Sequence, residues 1–169
     1  MDTLSVIGQT IASEFSDFDD ISELTSLVVR LLLAGLLGGI LGLEREQRGK
    51  AAGIRTHMLV ATGAALFIFI PQQAGITDSE MSRVIQGVIT GIGFLCAGTI
   101  FKSEENQEVS GLTTAAGIWF TAAIGIAVGL GRELTAITCT LIAFGILNIL
   151  PRVLRVSQDN PPENPKADS

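Results

Sequence analysis

Between formal charges the chain falls into long apolar runs, Thr56–Thr77, Val84–Phe101, Val109–Gly131 and Leu134–Pro151, of 22, 18, 23 and 18 residues. Each comes close to the ~20 residues that an α-helix needs to cross a bilayer. Leu24–Leu43 makes a fifth run, provided Arg30 is accommodated within it. The pattern predicts an all-α polytopic membrane protein, a bundle of five transmembrane helices at about 24–43, 57–76, 84–101, 114–131 and 134–150, within a membrane domain spanning 24–150. Ahead of it, Leu4, Ile7, Ile11, Phe15 and Phe18 recur at spacings of three and four. They predict a short amphipathic helix within residues 1–20 on the outer face, lying either in lipid or against the bundle. After the last run, residues 151–169 are polar and Pro-rich and predict a disordered cytoplasmic tail.

Composition agrees with a membrane class: 47% of residues are hydrophobic and the mean hydropathy is +0.49. The first twenty residues hold no Lys or Arg and no continuous apolar core, so no secretory signal is expected there. Both cysteines, Cys96 and Cys139, fall inside predicted spans and read as small core residues. No basic patch suited to nucleic acid is present. Of the eleven Lys and Arg, eight lie in the loop after the first span, the loop after the third and the C-terminal tail. Only Arg83 and Arg132 fall on the other side. Positive charge in short loops is retained in the cytoplasm, so the N-terminus is expected outside and the C-terminus inside.

Charge is concentrated in GLEREQRGKAAGIRTH, residues 42–57, where Glu44, Arg45, Glu46, Arg48, Lys50 and Arg55 occur within fourteen positions. Arg48 and Lys50 read as topology anchors. An anchor needs no acids, however, and Glu44 and Glu46 are interleaved with the bases. A Glu44–Arg55 pair at the membrane edge, with the acid holding the arginine in place, is the reading favoured for them. Thr56 and Thr114 have the chemistry of helix N-caps. Arg30, ~9 Å inside the first span, is expected either to snorkel outward or to turn into the bundle toward Glu23, Gln86 or backbone carbonyls. Gly35, Gly38, Gly39, Gly42, Gly87, Gly91, Gly93 and Gly98 mark helix faces for close packing within the bundle or between copies, as Gly125 and Gly129 do by their spacing. GIRT at 53–56 and GLTT at 111–114 hint at a parallel internal repeat that brings two cytoplasmic loops together.

GLEREQRGKAAGIRTHMLVATGAALF, VIQGVITGIGFLCAGTIF and VSGLTTAAGIWFTAAIGIAVGLG, taken in order, resemble the three signature blocks of the MgtC/SapB family of bacterial inner-membrane proteins. The resemblance covers about residues 30–150. It implies a five-span bundle with the N-terminus outside, in the bacterial inner membrane, and a role in magnesium homeostasis. It places the family's polar signature on Glu44, Arg45, Arg55, Thr56, His57, Thr113 and Thr114. The glycine block falls on Gly91, Gly93 and Gly98, with Cys96 standing where glycine is more usual. The chain is expected to be a short form without the soluble C-terminal domain of longer members.

Three functions compete. The favoured one is a non-enzymatic protein that binds and modulates another membrane protein; the resemblance suggests an ATP synthase or P-type ATPase subunit. The second is a transporter of magnesium or another cation with an entry site around Glu44, and the third a structural scaffold. Mid-span carboxylates and a nucleotide-binding loop would favour transport, and the sequence has neither. One His and two intramembrane Cys assemble no catalytic set. No metal ligands and no cofactor are assigned, with Mg²⁺ the one ion in question. Membrane lipid and a second copy of the chain, as a dimer, are the other expected partners.

Overall fold

A computed structural model describes residues 3–15, 20–102 and 109–158, the last eight of these as backbone only. The helices are α1 (Thr3–Glu14), α2 (Ile21–Gln47), α3 (Ile54–Gln73), α4 (Asp78–Ala97), α5 (Leu112–Gly129) and α6 (Glu133–Gln158). Between α4 and α5 lies a two-residue ribbon, β1 (Phe101–Lys102) antiparallel to β2 (Val109–Ser110), with Phe101 opposite Ser110. By length and apolarity, α2, α3, α5 and the Glu133–Leu150 part of α6 can each cross a membrane. The protein is therefore an all-α polytopic membrane protein.

Capping chemistry sets several of these ends. Asp20 caps α2 through the Ser22 hydroxyl (2.9 Å) and amide (3.3 Å), and those bonds hold its carboxyl below the usual carboxylate range. Thr77 and Glu80 close a capping box at the start of α4. α3 and α5 start differently. Their N-caps are Gly53 and Gly111, not Thr56 and Thr114, which lie inside the first turns. GIRT and GLTT thus do occupy equivalent positions at helix starts, but Gly53 is extended while Gly111 has φ +89°. At Gly111 only glycine fits, because a Cβ would collide with the Thr99 carbonyl.

Two boundaries differ from the sequence expectation. The third span was placed at 84–101, yet α4 ends at Ala97 and Phe101–Lys102 belong to the ribbon. Its uncharged helical part is confined to residues 84–97, because Asp78, Glu80 and Arg83 lie in the first turns. The tail expected to be disordered from 151 is helical to Gln158; Pro151 does not break α6. Residues 159–169 lie outside the described set. At the other end, α1 carries the expected Leu4, Ile7 and Ile11 stripe but buries none of its residues, so the alternative in which it packs on the bundle is not realised. Phe18 lies outside the described residues.

α3 is the centre of the bundle. α2 lies along one side of it and α5 along the other, while α4 leans on α5 and α6 closes against α2 and α5. The contacts are between backbones. A Cβ at Gly38 would lie 2.5 Å from the His57 carbonyl oxygen, one at Gly42 2.6 Å from Ile54 Cα, and one at Gly129 2.6 Å from the Ala65 carbonyl oxygen. At Gly125 it would strike the carbonyl of Ala61. The facing residues of α3 are correspondingly small: Ala61, Ala64 and Ala65 are buried with Ile68, against Leu37 and Leu41 of α2 and Ile124 and Val128 of α5. Gly35 and Gly39 make ordinary contacts with Thr62 and Met58. Gly87, Gly91 and Gly93 behave otherwise, since no atom lies within 4 Å of where their Cβ would be. Internal packing does not account for these three.

Arg30 turns inward. Its Nη1 donates to the Gly129 carbonyl (2.9 Å) and to Gln72 Oε1 (3.0 Å), its Nε is 3.9 Å from Glu133, and its guanidinium stands 5.3 Å from the Phe69 ring centre. Of the expected partners, the backbone carbonyl is the one used. These partners stand at the ends of α3 and α5 and the start of α6, the end of the bundle toward which snorkelling would also carry the side chain.

The packing predicts a sharp division among glycines. Gly125→Ala and Gly38→Ala are expected to lower stability by ~1–3 kcal/mol, as overpacking does. Gly87→Ala is expected to be neutral or stabilising by up to ~1 kcal/mol from helix propensity. Unfolding in detergent, followed by circular dichroism, distinguishes them.

Candidate functional site at the mouths of helices α2, α3 and α5

Because Gly38 and Gly42 let α2 lie directly on the first turns of α3, the last turns of α2 carry Glu44–Arg48 into the packed end of the bundle. Glu44 and Arg45 are 4% and 3% exposed, and His57 is 0% exposed. Arg45 Nε donates to Glu44 Oε2, and Arg48 Nε forms an i,i+4 ion pair with Oε1 of the same carboxylate. That second contact is within ion-pair distance but is not aligned as a hydrogen bond, so Oε1 has charge compensation without a directed donor. Arg48 Nη2 also reaches Asn148 Oδ1 of α6 at 3.3 Å. A single buried carboxylate thus holds two guanidiniums, one of which ties α2 to α6.

Glu46 serves a different end. Gly53 offers no side chain to cap α3, and Glu46 Oε2 takes that role by accepting the Ile54 amide at 2.9 Å. A carboxylate at a helix N-terminus also compensates the helix dipole. His57 follows one turn on. Its Nδ1–H donates to the Gly53 carbonyl at 3.0 Å, which fixes the tautomer and leaves Nε2 as an acceptor. Nε2 is buried and has no partner among the described residues.

The expected Glu44–Arg55 pair does not form. Arg55 is exposed and has no ion pair among the described residues. Arg48, read as a mere anchor, is a structural partner of Glu44. Thr114 is buried, Thr56 half-buried and Thr113 exposed. The structure therefore buries Glu44, Arg45, His57 and Thr114, sets the exposed Thr113 with His57 on the wall of one cavity, and leaves Arg55 at the surface. Sequence reasoning missed Glu46 and Asn148. Glu46 had a readable signal: a helix that begins at a glycine needs an acceptor from elsewhere, and an acid stands seven residues before that glycine. Asn148 had none, since only the packing of α6 on α2 brings it near.

Among the described residues no three His, Cys, Asp or Glu side chains approach closely enough to hold a metal ion. Glu44 is occupied by its two arginines.

An all-α bundle with a buried Glu–Arg pair at its loop-side mouth defines a class of small polytopic membrane proteins. The chain belongs to the MgtC family, whose pattern matches residues 31–156. It is 42% identical over 142 residues to SrpB of Synechococcus elongatus, covering 78% of each chain. With MgtC of Salmonella typhimurium it shares 44% identity over 127 residues, 74% of this chain and 52% of the relative. YhiD of Escherichia coli K12, provisionally named a magnesium transporter, is 45% identical over 112 residues, 62% of this chain and 51% of YhiD. The matched region thus spans about half the length of MgtC and YhiD. No solved structure matches the chain.

Removing one partner of a buried pair leaves the other charge uncompensated. Glu44→Ala is expected to destabilise the protein by ~3–5 kcal/mol. Glu46→Ala should cost about 1 kcal/mol, the loss of one helix cap. Arg55→Lys should be neutral in both unfolding and low-magnesium complementation assays. Equal unfolding midpoints for Glu44→Ala and wild type would refute the pairing.

Proposed function

We propose that this protein is a non-enzymatic component of magnesium homeostasis that binds another membrane protein, such as an ion-translocating ATPase, and adjusts its activity. The observation that supports this reading is the groove between α3 and α4. It has a volume of about 600 Å³ and is walled by Leu59, Gly63, Phe67, Gly87, Val88 and Gly91. Its lining is apolar, and Gly87 and Gly91 present bare backbone into it with nothing packed on them. Small residues four apart are the means by which membrane helices approach to backbone contact. The groove therefore suits a transmembrane helix from a partner. Family membership and the names borne by YhiD and MgtC support the magnesium context.

The competing reading, a cation transporter entered at Glu44, fits less well. Mg²⁺ takes oxygen ligands in octahedral geometry and is held through one or two free carboxylates with several waters. The Glu44 carboxylate is buried and neutralised by Arg45 and Arg48. Liposomes holding only this protein distinguish the two: saturable Mg²⁺ uptake would replace the regulator reading with the transporter.

The placement that goes with the proposal is the bacterial inner membrane, N-terminus outside and the Glu44–Arg55 loop cytoplasmic, from the distribution of Lys and Arg. Labelling of single cysteines at positions 50 and 76 by an impermeant maleimide in intact cells should modify only the second.

Gly91→Leu projects into the groove from a position where a Cβ meets no atom within 4 Å. It should leave the unfolding midpoint unchanged, abolish recovery of a partner by crosslinking in mild detergent, and abolish growth at low magnesium. Wild-type recovery and growth in this variant would remove the groove as the docking site.

A further inference from the structure

A second cavity, of about 220 Å³, lies between α2, α3, α5 and α6 and shares no lining residue with the groove just described. Its walls include Leu41, Phe120, Ala143, Ile146 and Leu147, and His57 and Thr113 are the only polar side chains among its lining residues. It is larger than the ~150 Å³ apolar cavity that suffices for a benzene molecule. The imidazole of His57 lies at its inner end, beside Gly117: a Cβ there would stand 3.6 Å from Nε2. Among the described residues nothing donates to that nitrogen. A buried acceptor left without a donor costs about 1–3 kcal/mol, so the arrangement calls for an occupant that supplies one.

The chemistry of the occupant follows from the walls. Because Nδ1–H is committed to the Gly53 carbonyl, Nε2 asks for a donor rather than an acceptor. Among the described residues none of the lining side chains is charged, so an ionic headgroup would be desolvated without compensation from them. Water is held poorly in a site with so few polar partners, since it needs two to four. The apolar length of the cavity is open toward the exposed faces of Ala116 and Ile146, where the surrounding medium of a membrane protein is acyl chain. We propose that this cavity is a binding site for a neutral, hydroxyl-bearing lipid such as a mono- or diacylglycerol. Its hydroxyl donates to His57 Nε2 and its chain lies along Phe120 and Leu147. Nε2 has almost no surface of its own open to solvent, so the hydroxyl reaches it as the ring tilts into the space that Gly117 leaves free. This site is independent of the α3–α4 groove and of any protein partner.

His57 is the only histidine in the chain, so ¹⁵N-histidine labelling gives one imidazole spectrum. The protein is stripped of lipid in an amine-oxide detergent, which carries no hydroxyl, and titrated with oleyl alcohol or its methyl ether. The alcohol is expected to move the Nε2 resonance upfield, as accepting a hydrogen bond does, and the ether is expected to bind about tenfold more weakly without moving it. Gly117→Ala occupies the space beside Nε2 at ordinary contact distance. It should keep the unfolding midpoint and the Nδ1–H tautomer while losing the response to alcohol. The proposal is overturned if alcohol and ether behave alike, if neither binds, or if Nε2 carries the proton. It is overturned equally if Nε2 is already hydrogen-bonded in the stripped protein and ignores the alcohol, the outcome for trapped water or for a second copy of the chain.

Discussion

The bundle rests on backbone contact along α3. In a membrane, apolar side chains gain little by leaving lipid for one another, so helices associate through close packing and polar contacts. Gly38 and Gly42 from one side and Gly125 and Gly129 from the other bring main chain against main chain, with alanines of α3 filling what remains. Everything polar in the interior is placed by this approach. The His57 carbonyl lies under Gly38, and the Gly53–Ile54 turn lies under Gly42, which is why the α3 amide is within reach of Glu46.

That same closeness explains the charge at the helix mouths. A helix that starts at a glycine has first-turn amides that its own cap residue cannot serve. Glu46 answers this need from the adjacent helix. Glu44 answers another, keeping two guanidiniums ordered where a third contact, Arg48 to Asn148, joins α6 to the core. The acids among the bases are structural partners, each with its own task, while Arg55 is left at the surface.

Much of the architecture was legible in the charge-free runs, because span length is a property of the bilayer and not of tertiary contacts. The helix ends were less so. Pro151 reads as a stop but continues α6, and the ribbon at Phe101–Lys102 depends on a pairing with Val109–Ser110 that four residues cannot announce. Within the site, Glu44 was marked by the interleaving of acids with bases, and Arg45 and His57 by the resemblance to the family's polar signature. Which acid meets which base was not, since pairing depends on how the helices are rotated against one another. The glycines teach the same lesson. Gly38 and Gly91 look alike in sequence, yet one is pressed against a carbonyl and the other faces open space.

Arg30 and Arg48 together have a mechanical consequence. Arg30 fastens α2 to the ends of α3 and α5 through Gln72 and Gly129, and the Glu44–Arg48–Asn148 chain fastens its other end. The two fastenings are fourteen residues apart, ~21 Å along the helix. A rod pinned at both ends can neither slide nor spin on its axis without breaking polar bonds. α2, α3 and α5 therefore move as one stiff block. Bending or tilting is left to α4, which is held chiefly along one side of α5.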